Sequence, residues 1–189
     1  MGIAIIMISL LLGVFLAIFG LYQVFCIVTV DGYSMQPTLE PGDRLLVLRR
    51  FIKRFLRKQQ IVVLTPYGVL PATRAEASRF LFSGQAFIKR LTALGNDTQD
   101  ISPEDMLGED QIGTSTWLDD GQLYIMPENR EYKYPLKPPA RTSAGGYCYH
   151  IPTGYGFVLS DNRAAISDSR AFGPIPIESV LGIVIGKLS

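Results

Sequence analysis

The feature that most constrains this chain is an apolar run from Ile3 to Val28 that no charged residue interrupts. Within it only Ser9, Tyr22 and Gln23 are appreciably polar. As a helix the run would extend about 39 Å, against roughly 30 Å of hydrocarbon in a bilayer. It predicts one transmembrane anchor over residues 1–30, tilted, with Tyr22 and Gln23 near the outer interface. A cleavable secretory segment would open on basic residues and carry a shorter apolar core. Met1 and Gly2 supply no basic side chain, so the segment reads as a permanent anchor. Roughly 160 residues follow, enough for one or two modest domains.

Charge is nearly balanced, with 18 Lys and Arg against 17 Asp and Glu. A nucleic-acid binder would be clearly basic, so no nucleic-acid partner is expected. The balance hides a polarity along the chain. Seven basic residues lie between Arg44 and Lys58, and ten acidic residues between Asp97 and Glu131, where only Arg130 offsets them. The basic segment suits anionic headgroups and the acidic one suits solvent away from them. Two ordinary solvated faces would account for the same counts. Because the basic residues follow the anchor, the positive-inside rule would keep the soluble part in the cytoplasm.

Short buried strands are predicted over Arg44–Leu48 and Ile61–Leu64, bounded by Pro-Gly-Asp and Thr-Pro. Between them Arg49, Arg50, Lys53, Arg54, Arg57 and Lys58 recur at helical spacing opposite Leu48, Phe51, Ile52, Phe55 and Leu56. That pattern predicts a basic amphipathic helix of the membrane-surface kind. A short helix is expected over 72–81 and strands over 86–94, 156–159 and 181–185. Residues 95–147, rich in Gly, Pro, Asn and Asp, read as an acidic, irregular, β-rich inserted subdomain. The fold class is mainly β: an antiparallel core from 31–94 and 148–189, plus one N-terminal membrane helix. A disulfide between Cys26 and Cys148 would have to join bilayer to domain and is not expected.

The chemistry centres on Ser34, which sits in Gly32-Tyr33-Ser34-Met35-Gln36-Pro37-Thr38-Leu39 just past the anchor. A serine nucleophile needs a base. His150 is the sole histidine, but no motif surrounds it, and a packed or surface histidine explains it as well. A lysine can serve if burial disfavours its ammonium form. Strand alternation sets Lys89 on the face of Phe87, Leu91 and Ala93, with Arg90 on the face of Ile88 and Thr92. Spacing alone leaves open whether Lys89 is buried or points from an edge strand into water.

Three blocks in this order, behind an anchor, resemble the type I signal peptidases, membrane-anchored serine peptidases with a Ser-Lys dyad. The blocks are Gly32 to Leu39, then Phe87-Ile88-Lys89-Arg90 with Leu94-Gly95-Asn96-Asp97, then Ser160-Asp161-Asn162-Arg163 through Ser167-Asp168-Ser169-Arg170 to Gly173. The resemblance implies that Ser34 is the nucleophile and Lys89 the general base, with the Ser34 N–H in the oxyanion hole. Many members carry a hydroxyl two residues before the nucleophile. Gly32 stands there instead, which leaves Tyr33 or a backbone N–H as the second donor. The supporting block usually holds a serine two positions before its central aspartate. Here Ile166 occupies that place, Ser167 follows it, and Ser160 replaces a usual glycine. Either Ser160 or Ser167 is expected to orient Lys89, with Ser160 preferred. The resemblance also pairs Asp161 with Arg90 and Asp168 with Arg170.

By the same resemblance, the substrates are precursor proteins carrying signal peptides, cleaved at the bilayer surface. It places a single-pass enzyme in the bacterial cytoplasmic (inner) membrane with the catalytic domain outside, against the positive-inside count. It also leaves room for association with the secretion machinery. Met35 and Leu39 would line shallow pockets or fill the core. No metal-ligand spacing or phosphate-cradling loop is present, so no cofactor or metal is expected. Two other readings fit the blocks: a maturation peptidase specialised for a pilin or single cargo, and a non-catalytic anchored domain with a decayed site.

Overall fold

The structure is a computed structural model that describes residues 2–49, 55–66, 70–71, 73–106, 116–119, 122–125, 140–165 and 167–188. The chain opens with α1 (Gly2–Val24), followed at once by β1 (Phe25–Thr29). Next come β2 (Arg44–Leu48), β3 (Ile61–Leu64), α2 (Arg74–Phe82), β4 (Phe87–Leu94) and β5 (Thr98–Ile101). A 3-10 turn (Pro103–Asp105) leads to β6 (Thr116–Asp119), β7 (Gln122–Ile125), β8 (Ala140–Arg141) and β9 (Tyr147–His150). The chain ends with β10 (Tyr155–Leu159), α3 (Ser169–Phe172), β11 (Ile175–Pro176) and β12 (Val180–Leu188).

The apolar run does not stay helical to Val28. Helix α1 stops at Val24, and Phe25 to Thr29 pair antiparallel with Leu48 to Arg44. The cause is tertiary: β-branched and aromatic residues suit a strand, and alternation buries Cys26 and Val28 in the core. The 23 residues of α1 extend about 35 Å. Among the described residues it is the one helix long and apolar enough to cross a membrane. Because the chain passes directly from α1 into β1, the main sheet begins at the end of α1.

That sheet has seven antiparallel strands in the order β1-β2-β12-β3-β4-β10-β11. A second sheet, β5-β9-β8, and a β6-β7 hairpin accompany it. The second sheet draws strands from both sides of the boundary expected near 147, since β5 pairs with β9. One core cluster packs Val28, Leu45, Val47, Val63 and Ile88 against Leu81 of α2. Another holds Val62, Leu64, Leu91, Val158, Phe172 and Ile175. Thus β3 and β4 are covered on both faces. At the start of α2, Thr73 accepts the Glu76 N–H through its side chain, capping the helix. Residues 50–54 of the expected basic amphipathic helix lie outside the described residues; on either side of them Leu48 ends β2, as its strand reading expects, and Lys58 lies in a turn. Both cysteines are free, Cys26 in β1 and Cys148 in β9.

Candidate active site

Strand β4 lies between β3 and β10 and therefore has no edge. Lys89 is opposite Val62 of β3, and directly paired residues share a face, so its stem runs with Val62 and Leu91. The residue is 2% exposed. Its Nζ lies 5.6 Å from the centroid of the Phe87 ring and donates to the Ser167 Oγ at 3.3 Å. Burial pulls the Lys89 pKa down from 10.5 to about 8; the charge of Asp168 opposes this, and that of Arg170 assists it. An amine in this state is partly uncharged near neutral pH and can accept a proton.

The loop bearing Ser34 is fixed at its base and along its length. Val30 N–H donates to the Asp43 carbonyl at 2.9 Å, and Gly42 N–H to the Val30 carbonyl at 2.7 Å. Met35 and Leu39, 1% and 3% exposed, enter the core cluster of β1, β2 and α2, so they fill core. Each such burial contributes about 1.5–3 kcal/mol. Ser34 is left half-buried between them and the exposed Tyr33. A Cβ at Gly32 would meet nothing within 4 Å. Asn162 spans from the supporting loop: its N–H donates to the Ser34 carbonyl at 3.0 Å and its Nδ2 to the Tyr33 carbonyl at 3.2 Å.

The supporting loop replaces a sheet neighbour beside the end of β10. Val158 N–H donates to Ser169 Oγ at 3.0 Å, and Ser160 N–H to Asp168 Oδ2 at 2.9 Å. These bonds satisfy donors that a further strand would otherwise take. Arg170 uses all five of its N–H groups. Nε and one terminal nitrogen hold the Asp168 carboxylate at 2.9 and 2.8 Å, while the rest reach the carbonyls of Asp105, Arg163 and Ala165. On the opposite side of β4, Arg90 grips Asp161 through two bonds of 2.7 and 2.6 Å.

Of the two hydroxyls weighed for Lys89, Ser167 makes the bond and Ser160, the one preferred from sequence, does not. Ser160 is fully buried, and its Oγ has no hydrogen-bond partner among the described residues. Spacing does not single out Ser167 because it belongs to a loop whose path no strand periodicity describes. Ile166 lies outside the described residues. His150 ends β9 exposed, opposite Thr98. No acidic, histidine or cysteine cluster able to hold a metal occurs among the described residues. Sequence reasoning assigned no role to Asn162 or to Thr38, which bonds the Asp161 carboxyl. Both stand inside the quoted blocks, so the signal was present.

The described residues thus include a half-buried hydroxyl on a pinned loop, Ser34, and a buried, weakly basic amine in β4, Lys89. Comparison with known proteins identifies the family. The sequence model of the family described as "Signal peptidase, peptidase S26" matches residues 3–188. Thylakoidal processing peptidase 1, chloroplastic, of Arabidopsis thaliana is 27% identical over 154 residues, 82% of this chain and 39% of that protein. Probable signal peptidase I-1 of Synechocystis sp. is 29% identical over 155 residues, 81% of this chain and 65% of that protein. The chain thus spans less than two thirds of the length of either. Signal peptidase I V of Bacillus subtilis is 27% identical over 175 residues, 91% of this chain and 90% of that protein. With a match running from α1 through the sheet and all three blocks, the chain belongs to the signal peptidase family, peptidase S26.

Proposed function

We propose that this protein is a membrane-anchored serine endopeptidase that removes signal peptides from exported precursors. Ser34 Oγ attacks the scissile carbonyl while the neutral Lys89 amine takes the hydroxyl proton. The tetrahedral oxyanion accepts from the Ser34 N–H; losing one such donor typically costs about 10²–10³ in rate. Collapse breaks the C–N bond, and the Lys89 ammonium returns its proton to the leaving amine. Water, deprotonated by the same amine, then hydrolyses the acyl-enzyme and restores Ser34. Arg90, Asp161, Asp168 and Arg170 hold the elements that carry these two side chains.

The observation that carries this reading is the burial of Lys89 in the sheet, with its pKa lowered to about 8. A lysine without a role would gain by pointing into water. The passage from α1 straight into the sheet supports action at bilayer level, where a signal peptide has its apolar segment in lipid and its small-residue cleavage site at the interface. Such substrates present that site on the outer side of a bacterial cytoplasmic membrane, and we place the domain there. The test is cleavage of a precursor whose signal peptide ends in Ala-x-Ala by the full chain in proteoliposomes. Ser34→Ala and Lys89→Ala should each abolish processing, and His150→Ala should retain it. Wild-type processing by either dyad variant would refute the reading.

A further inference from the structure

A buried hydroxyl without a partner is uncommon, because losing water without a replacement costs free energy. Ser160 is such a group: it is 0% exposed and its Oγ is unbonded among the described residues. Its position follows from the strand register. Val158 pairs with Leu91 and Leu159 with Arg90, so one further antiparallel step sets Ser160 opposite Lys89. Strand alternation agrees, since Ser160 lies two residues beyond Val158, which packs with Leu91 and Val62 on the Lys89 face. The Ser160 N–H is committed to Asp168, which leaves only its hydroxyl to look for a partner on this face.

Lys89 is short of the complementary partner. A neutral amine has two N–H donors and one lone pair, and the ammonium has three donors. In a site this dry, each donor must find an acceptor. Ser167 satisfies one at 3.3 Å. If the lone pair faces Ser34, as the proposed function requires, one donor remains in both protonation states.

We propose that the Ser160 hydroxyl accepts that remaining N–H, so that Ser160 and Ser167 together aim the Lys89 amine at Ser34. Ser160 is a positioning residue acting through Lys89 and does not itself touch the substrate. The inference rests on Lys89 being the base. The contact tightens when the amine becomes an ammonium, because hydrogen bonds to charged groups are the stronger ones.

The experiment uses the full chain in proteoliposomes with the Ala-x-Ala precursor, comparing wild type, Ser160→Ala, Ser160→Thr and Lys89→Ala. In Ser160→Ala, kcat should fall about tenfold with KM unchanged, and the rising limb of kcat against pH should move down by about one unit, since an acceptor for the charged form is gone. Its Tm should fall by about 2–4 °C at pH 7 and stay unchanged at pH 9.5, because a lower folded-state pKa costs stability only where the folded amine is charged. Ser160→Thr, which keeps the hydroxyl, should restore the limb. Wild-type kcat with an unmoved limb in Ser160→Ala would overturn the proposal, as would a loss of activity accompanied by a lower Tm and an unmoved limb. Activity in Lys89→Ala would instead sink the proposed function. An inactive Lys89→Ala with an unmoved limb in Ser160→Ala sinks only the inference drawn from Ser160.

Discussion

Replacing Lys89 by Met should make the protein more stable at neutral pH, and the size of the gain can be worked out. The folded state holds this amine at about 8 against 10.5 in the unfolded chain. At pH 7 the unfolded chain binds the proton freely while the folded state resists it, a penalty of roughly 3 kcal/mol. Met has similar length and no charge. It forfeits the bond to Ser167, worth about 1 kcal/mol. The net gain is about 2 kcal/mol, or about 4–8 °C in Tm for a chain of this size.

The sign of the pH dependence follows. Between about 8 and 10.5 the folded state binds fewer protons than the unfolded one, so wild-type stability rises with pH across that window. Between pH 7 and 9.5 about 2 kcal/mol of the penalty is recovered, and the two proteins should converge. The scan stops short of pH 10 because Tyr149, pushed up to about 12 by burial, contributes an opposite slope above it. The assay is thermal unfolding of both proteins in one detergent, followed by circular dichroism. A lower Tm for Lys89→Met at pH 7, or an advantage unchanged at pH 9.5, would refute the reasoning.

Three further outcomes are expected. Arg170→Met strands the buried Asp168 charge and three carbonyls, and should cost about 3–5 kcal/mol in denaturant unfolding. Asp161→Asn should lower Tm at neutral pH: burial raises the Asp161 pKa, but bonds from Arg90 and Thr38 outweigh this and hold it below the ordinary range. Its stabilising effect is present above that range and lost as pH falls through the lowered pKa, so variant and wild type should converge in acid. Gly182→Ala places a Cβ against Val47 Cγ1 between β2 and β3, and should cost about 1–3 kcal/mol by the same measurement.

Strands are legible in this sequence where local pattern and tertiary demand agree. Arg44–Leu48 and Ile61–Leu64 are apolar runs ended by turn residues, and both form strands with those limits. The end of α1 is illegible for the opposite reason. Phe25 to Thr29 continue the apolar run without a break, and only the existence of β2 as a pairing partner converts them to a strand. Position along β4 makes the Lys89 face readable, but its burial depends on β10 arriving from far along the chain. The Ser167 contact and the Asn162 bonds to the Ser34 loop depend on loop geometry, for which no periodicity exists. Much of the segment read as an acidic insertion lies outside the described residues.

The most direct test is the pH dependence of kcat/KM for precursor cleavage, which reports the free enzyme's ionisations. A buried lysine base predicts a rate that rises with pH through a single limb near 8, unchanged in His150→Ala. A limb near the histidine value of about 6.5 that disappears in His150→Ala would contradict it.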